Sequence, residues 1–217
     1  MRLEILEVQG SKSSCYGHAP SCGDWDYTRS MAIPMERRLL YIPVLHIDTN
    51  LINARQKLDT VNQLEKWFAD GVILINMSGT AHSEAQAGGN PQRSRKANQQ
   101  IFTVTPHVHP DEARFKAIEG VLFPDGAKDE NQRNDVRIVA DAIHYVAILV
   151  TQDGGSKSQP GGLLGNRDTL SKRFSIQILT ADEAVIFVRE EIQERDDFNR
   201  RIVHEFGGEL PDWTGKD

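Results

Sequence analysis

The stretch Tyr41-Ile42-Pro43-Val44-Leu45-His46-Ile47-Asp48-Thr49-Asn50 decides how the chain is read. Val44, Leu45 and Ile47 are side chains that a parallel strand covered on both faces buries. The apolar run stops at Asp48, with Thr49 and Asn50 beside it. In open α/β sheets ligands bind beyond the carboxyl ends of the strands. The question is which other acidic residues the fold brings to Asp48.

Downstream, Asp59 and Thr60 stand before a helical run in which Val61, Leu64 and Phe68 recur, and Thr60-Val61-Asn62-Gln63 has the form of a capping box. Gly71 ends that helix, and Val72 to Met77 is a second buried strand. A helix opening near Ser78 or Thr80 carries Glu84 in its first turns, and Gly88 and Gly89 weaken it soon after. Arg93, Arg95 and Lys96 form a short basic run among polar residues, and Ile101, Phe102 and Val104 read as extended. Pro110 and Asp111 open a helix with Phe115 and Ile118 on one face, and Gly120 to Asn134 reads as a polar connection.

The next helix is read from Asp135. Ile138, Val139, Ala142 and Ile143 follow it at i+3, i+4, i+7 and i+8, so Asp135 lies at the helix start on the stripe that faces the sheet. Asp141, its competitor, falls roughly 120° off that stripe and is expected on the solvated flank. Val146 to Val150 is a strand ending on Thr151-Gln152-Asp153. Residues 154 to 173, rich in Gly, Ser and Lys, read as a flexible loop, and Phe174 to Leu179 as a last strand. Thr180-Ala181-Asp182-Glu183 is a capping box for a helix whose apolar face is Ala184, Phe187, Val188 and Ile192. Strands alternating with helices predict a three-layer α/β/α domain around a mostly parallel sheet. The expected division is an N-terminal extension over 1–40, the domain over 41–205 and a peripheral tail over 206–217.

Composition narrows the function. A hydrophobic fraction of 39% with 26% charged residues over 217 residues is that of a globular protein with a sizeable core. The net charge of −6 argues against a simple basic-patch binder of nucleic acid, but not against an enzyme whose metal ions offset acidic side chains. No apolar run nears the ~20 residues of a membrane span, and Met1 to Gly10 lacks the apolar core of a signal peptide, so the expected location is cytoplasmic with no membrane partner. Cys15 and Cys22, with His18 between them, lack an evident fourth ligand for a metal and read as reduced thiols.

Four carboxylates remain at matching places: Asp48 and Asp153 at strand ends, Asp135 and Glu84 on helices that begin at the same sheet edge. Crowded together and ionised they repel one another, which raises their pKa values. A divalent cation removes that penalty, and oxygen ligands without Cys or His suit Mg²⁺ or Mn²⁺. Such an ion with waters left in its shell is suited to phosphate chemistry.

The segments Ile47-Asp48-Thr49-Asn50, Ser83-Glu84-Ala85, Asn134-Asp135 with Ile138-Val139-Ala140 and Ala142, Leu149-Val150-Thr151-Gln152-Asp153 and Ile176 to Glu183 occur in one order. Over about residues 41 to 192 the chain thereby resembles a PIN domain, the fold of many metal-dependent ribonucleases. The resemblance implies that Asp48, Glu84, Asp135 and Asp153 are the catalytic, metal-binding set, with Asn50 and Thr151 as supporting polar positions. It implies Mg²⁺ or Mn²⁺ as cofactor and RNA as substrate. It also raises a small inhibitory, antitoxin-like partner and a homo-oligomer, as in toxin-type members. Residues 1 to 40, 88 to 133 and 154 to 173 are larger than in the family's small members.

Plainer readings stand beside these. Each strand-end aspartate is also a turn or cap residue by type, and Glu84 gains from a helix dipole without any metal. His107 and His109 lack a third ligand and read as surface or packing residues. Arg93, Arg95 and Lys96 read either as contacts to an RNA backbone or as a solvated charge run, as do Lys157, Arg167, Lys172 and Arg173. The charges from Arg189 to Arg201 read as a solvated helix face. The rival to a nuclease is a catalytically weak PIN-like module that binds RNA or protein. A phosphatase-like hydrolase is disfavoured because Asp48-Thr49-Asn50 lacks an Asp-x-Asp pair.

Overall fold

The computed structural model describes residues 36–52, 57–87, 89, 91–100, 104–106, 111–155 and 161–217, without the side chains of 93, 99 and 100. The chain divides into two units, Met1–Ile33 and Pro34–Asp217, and every described residue belongs to the second. The expectations for Cys15, His18, Cys22, Ile101, Phe102, His107, His109 and Lys157, and for the Arg93 side chain, lie outside the described residues.

Five short parallel strands form the sheet: β1 (Leu45–Ile47), β2 (Ile75–Ser78), β3 (Val104–Thr105), β4 (Ile148–Val150) and β5 (Ile178–Leu179). Their order is β3-β2-β1-β4-β5. The chain leaves β1 towards β2 and β3 on one side, then returns to place β4 and β5 on the other. The β1–β4 seam is therefore the point where the winding reverses, the place where such sheets open a crevice at their carboxyl edge. Its register pairs Leu45 with Ile148, His46 with Leu149 and Ile47 with Val150. The residues that follow Ile47 and Val150 are Asp48 and Thr151, and they meet.

Helices cover both faces. α1 (Asp59–Ala69) and α8 (Ala181–Phe206) pack on one side, where Leu45, Ile75, Ile148 and Val150 meet Val61, Leu64, Trp67, Val185 and Val188. α2 (Gly79–Ala87), α4 (Glu112–Leu122) and α5 (Glu130–His144) share the other side, where Met77 and Leu149 meet Ala85, Ile118, Val139 and Ala142. Leu149 points to one layer and its neighbours Ile148 and Val150 to the other, the period-2 alternation of a strand buried on both faces. The architecture is the expected three-layer α/β/α arrangement around a parallel sheet.

Local signals fixed some ends and not others. The capping box of α8 forms: Glu183 N–H donates to Thr180 Oγ1 at 3.1 Å and Thr180 N–H to Glu183 Oε2 at 2.9 Å. The box expected at Thr60 does not form, since α1 starts at Asp59 after Leu58, which makes no side-chain cap. The polar segment 88–105 contains a full helix, α3 (Pro91–Gln100), whose sequence lacks an apolar stripe. Two further helices, α6 (Gly162–Gly165) and α7 (Arg167–Phe174), occupy much of the stretch read as a flexible loop, anchored by buried Leu163 and Leu170.

α5 corrects two readings. It starts at Glu130, with Asp129 Oδ1 accepting from Gln132 N–H at 2.9 Å, so Asp135 lies in its second turn and not at its start. The buried side of the helix also takes in Asp141, which is 3% exposed and accepts from Thr80 Oγ1 at 3.4 Å. The solvated flank expected for Asp141 is instead covered by α2.

The C-terminal half of α8 is the other correction. Arg195, Asp196 and Asn199 are buried there rather than solvated. Arg195 Nη2 donates to Asp196 Oδ1 at 2.8 Å and to Asp217 Oδ2 at 2.9 Å, its Nη1 donates to the Arg38 carbonyl at 2.6 Å, and its guanidinium lies 4.3 Å from the centre of the Trp213 ring. Arg38 also donates to Asp217 Oδ1. Residues 206–217 are thus tied to α8 and to the segment before β1, not peripheral. Among the described residues no helix is long and apolar enough to cross a membrane.

Candidate functional site

Asp48 ends β1 and is 6% exposed. Its Oδ2 accepts from Thr151 Oγ1 at 2.7 Å and from Asn50 Nδ2 at 2.8 Å, and its Oδ1 from Thr49 N–H at 2.6 Å. Asn50 Nδ2 also donates to Thr151 Oγ1 at 3.1 Å, and Asn50 Oδ1 accepts from Gln152 N–H at 3.2 Å. Asn50 and Thr151, the two expected supporting positions, both hydrogen-bond Asp48, Thr151 doing so across the β1–β4 seam. Asp48 also caps the short 3₁₀ turn Thr49–Leu51, so the plain turn role and the site role coexist in one side chain.

Asp153 sits just past β4 and is held by backbone. Its Oδ1 accepts from Gly155 N–H at 3.1 Å and its Oδ2 from Leu163 N–H at 2.8 Å. Gly162 makes the second contact possible. Its φ is +54°, and a Cβ there would stand 2.5 Å from Asp153 Oδ2 and 2.4 Å from Gly155 N, so a larger residue cannot occupy the position without displacing both. The run Pro160-Gly161-Gly162 was the sequence signal for this, hidden inside a stretch read as mobile.

Glu84 reaches the same region from α2. Thr49 Oγ1 donates to its Oε2 at 2.8 Å and Asn134 Nδ2 to its Oε1 at 2.8 Å. Thr49 and Asn134, both inside the motifs quoted above but absent from the expected set, join the site through these bonds. Asp135 follows Asn134 on α5 and is half-buried.

The four carboxylates feel one another. Burial pushes the Asp48 carboxyl up to about 6, against the donated hydrogen bonds from Thr151 and Thr49, and the charges of Glu84 and Asp153 push the same way. Asp135 is raised to about 8, first by burial and then by the charges of Asp48, Asp153 and Glu84. Yet among the described residues no three acidic, histidine or cysteine side chains converge closely enough to hold one ion as they lie. The donor set fits a hard divalent cation in chemistry, being oxygen alone, and in charge, because the carboxylates repel with no cation among them.

A cleft of about 810 Å³ opens beside Glu84 between α2, α4 and α5, lined among others by Thr80, Ser83, Arg114, Asn134 and Arg137. Asp48, Asp135 and Asp153 do not line it. Of the basic run, Lys96 Nζ pairs with Glu65 Oε2 at 2.9 Å, with side chains 12% and 18% exposed, and so ties α3 to α1. Arg95 is exposed on α3, and Arg167 pairs with Glu183 at 2.8 Å.

The chain matches no family model and no curated protein. Among solved structures it is similar to a chain of VapBC2 from Rickettsia felis bound to a promoter DNA fragment, at 18% identity and a TM-score of 0.42, over 63% of this chain and 96% of that one. It is similar to a chain of FitAB bound to the IR36 DNA fragment, at 17% identity and a TM-score of 0.41, over 64% of this chain and 94% of that one. Neither likeness bears on the chemistry of the site.

Proposed function

We propose that the protein is a PIN-like, Mg²⁺- or Mn²⁺-dependent nuclease acting on single-stranded RNA. The observation that supports this most is that burial, and then the charges of Glu84 and Asp153, disfavour the ionised forms of Asp48 and Asp135 near the β1–β4 seam. Charged groups raised by burial and by like charges in a crevice mark functional sites more often than structural ones.

In this reading Asp48, Asp135 and Asp153 would hold the ion, and Glu84 would complete its shell or orient a water. A divalent cation bound there supplies a low-pKa water and offsets charge on the phosphate. The protein's own part is to hold Asp48 in one rotamer through Thr151 and Asn50, to hold Asp153 through the amides of 155 and 163, and to release protons from Asp135 and Asp48 as the ion enters. Arg95 would contact the RNA backbone, with Arg93; Lys96 would first have to leave Glu65. An inhibitory antitoxin-like partner and a homo-oligomer belong to the same proposal through the resemblance of the motifs.

The spacing of the carboxylates favours the rival, a module that binds RNA or protein with little catalysis. Labelled single-stranded RNA incubated with Mn²⁺ separates the two. The nuclease reading expects cleavage that Asp48→Asn and Asp153→Asn both abolish. Tight RNA binding with no cleavage supports the module, and cleavage unchanged in both variants sinks the four-carboxylate site.

A further inference from the structure

Glu84 comes from α2, while the other three carboxylates belong to the β1 and β4 ends and to α5. Its orientation is set by the two residues that hold it. Thr49 takes one oxygen and Asn134 the other. Asn134 is held in turn: Arg137 Nη1 donates to Asn134 Oδ1 at 2.7 Å. Arg137 also pairs with Glu130, which pairs with Arg133 as well. Glu130, Asn134 and Arg137 stand at i, i+4 and i+7 on α5 and so share one face of that helix.

The chemistry of the three groups permits one arrangement. An ionised carboxylate can only accept and a guanidinium can only donate. An amide between them is satisfied only with its N–H₂ towards Glu84 and its carbonyl towards Arg137. Aspartate at 134 would set a second carboxylate against Glu84, and an aliphatic residue would leave Glu84 with Thr49 alone. The contribution to folding is small, because Arg137 and Glu130 are 39% and 60% exposed and solvent screens such a pair. What the chain of contacts determines is where the Glu84 carboxylate points.

We infer that Asn134 and Arg137 are positioning residues: Arg137 orients the Asn134 amide, and that amide orients Glu84 for the divalent cation of the acidic site. This rests on the metal-site reading above. It also makes Arg137, which lines the open cleft, a link between that cleft and the metal shell.

The test is a double-mutant cycle on Mn²⁺ affinity, measured by titration calorimetry on the full chain. Asn134→Ala and Arg137→Gln each weaken Mn²⁺ about 10-fold, the size seen when residues that orient metal ligands are removed. Arg137→Lys recovers most of the loss. In a Glu84→Ala background the same substitutions change affinity less than about 2-fold, because the group they orient is gone. Equal losses in both backgrounds overturn the inference, as does normal Mn²⁺ affinity in both single variants; the metal reading then still stands. A second measurement needs no metal: the Asn134 side-chain amide resonances shift in Arg137→Gln and in Glu84→Ala, and resonances unmoved by either overturn the inference. A wild-type chain that binds no Mn²⁺ overturns the metal reading, and with it the role of this chain of contacts in metal binding.

Discussion

Thr151 Oγ1 donates to Asp48 Oδ2 at 2.7 Å, joining the end of β4 to the end of β1 across 103 residues of sequence. Thr151 is fully buried, and its oxygen also accepts from Asp153 N–H at 3.0 Å and from Asn50 Nδ2. One hydroxyl therefore ties the Asp48 carboxylate to the backbone of Asp153. It also favours the ionised form of Asp48, opposing the burial that raises it.

Thr151→Val keeps the shape and removes the hydroxyl. The Asp48 pKa then rises further above about 6, because a donor to the charged form is lost. The acid limb of Mn²⁺-dependent RNA cleavage moves to higher pH, and Asn50 and the Asp153 amide lose an acceptor at a cost of about 1–3 kcal/mol. A pH–rate profile with the acid limb unmoved contradicts this.

Asp135→Asn stabilises the metal-free protein. The folded carboxyl is raised to about 8 from 3.8, so between those pH values the folded state holds more proton than the unfolded one. Wild-type stability that this group contributes is present below pH 3.8 and is lost as pH rises through about 8. The variant cannot ionise, so above pH 8 its Tm exceeds that of wild type by several degrees, on the scale of ~2–4 °C per kcal/mol for a chain of this size. Mn²⁺ raises the Tm of wild type and has a weaker effect on the variant. Thermal melts from pH 5 to 9, with and without Mn²⁺, read both effects.

Gly162→Ala forces a Cβ into the position of Asp153 Oδ2 at a positive φ. The expected result is a loss of roughly 1–3 kcal/mol in stability from backbone strain and of Mn²⁺ affinity through a displaced Asp153. Gly165→Ala, where a Cβ meets nothing within 4 Å, is the control and changes neither. Equal behaviour of the two variants contradicts the cradle.

Arg195→Met tests the C-terminal anchor. The side chains of Arg195, Asp196 and Asp217 are 4%, 4% and 0% exposed. Removing the cation leaves two buried carboxylates short of their partner, at about 3–5 kcal/mol. Residue 195 lies about 20 Å along α8 from its start at the carboxyl edge, so Mn²⁺ affinity measured well below the Tm stays unchanged. Urea unfolding and calorimetry check the two halves.

The alternation of strands and helices, the ends of β1 and β4 and the start of α8 are legible in the chain alone. These follow from local causes: apolar runs that stop at Asp48 and Thr151, and a capping box at Thr180 whose donors and acceptors lie within four residues. The sequence failed where the cause was distant. α3 has no apolar stripe, so its helix was invisible to periodicity, and it packs through Ala97, Ser94 and the Lys96–Glu65 pair. The angle that put Asp141 in solvent was measured from Asp135 alone, while the buried arc of α5 is wide enough to include it because α2 covers that side. Which donors face each carboxylate follows from the packing of the elements in space. Thr49 and Asn134 reach Glu84 from elements 35 and 50 residues away, and hydrogen bonds across such gaps leave no pattern along the chain.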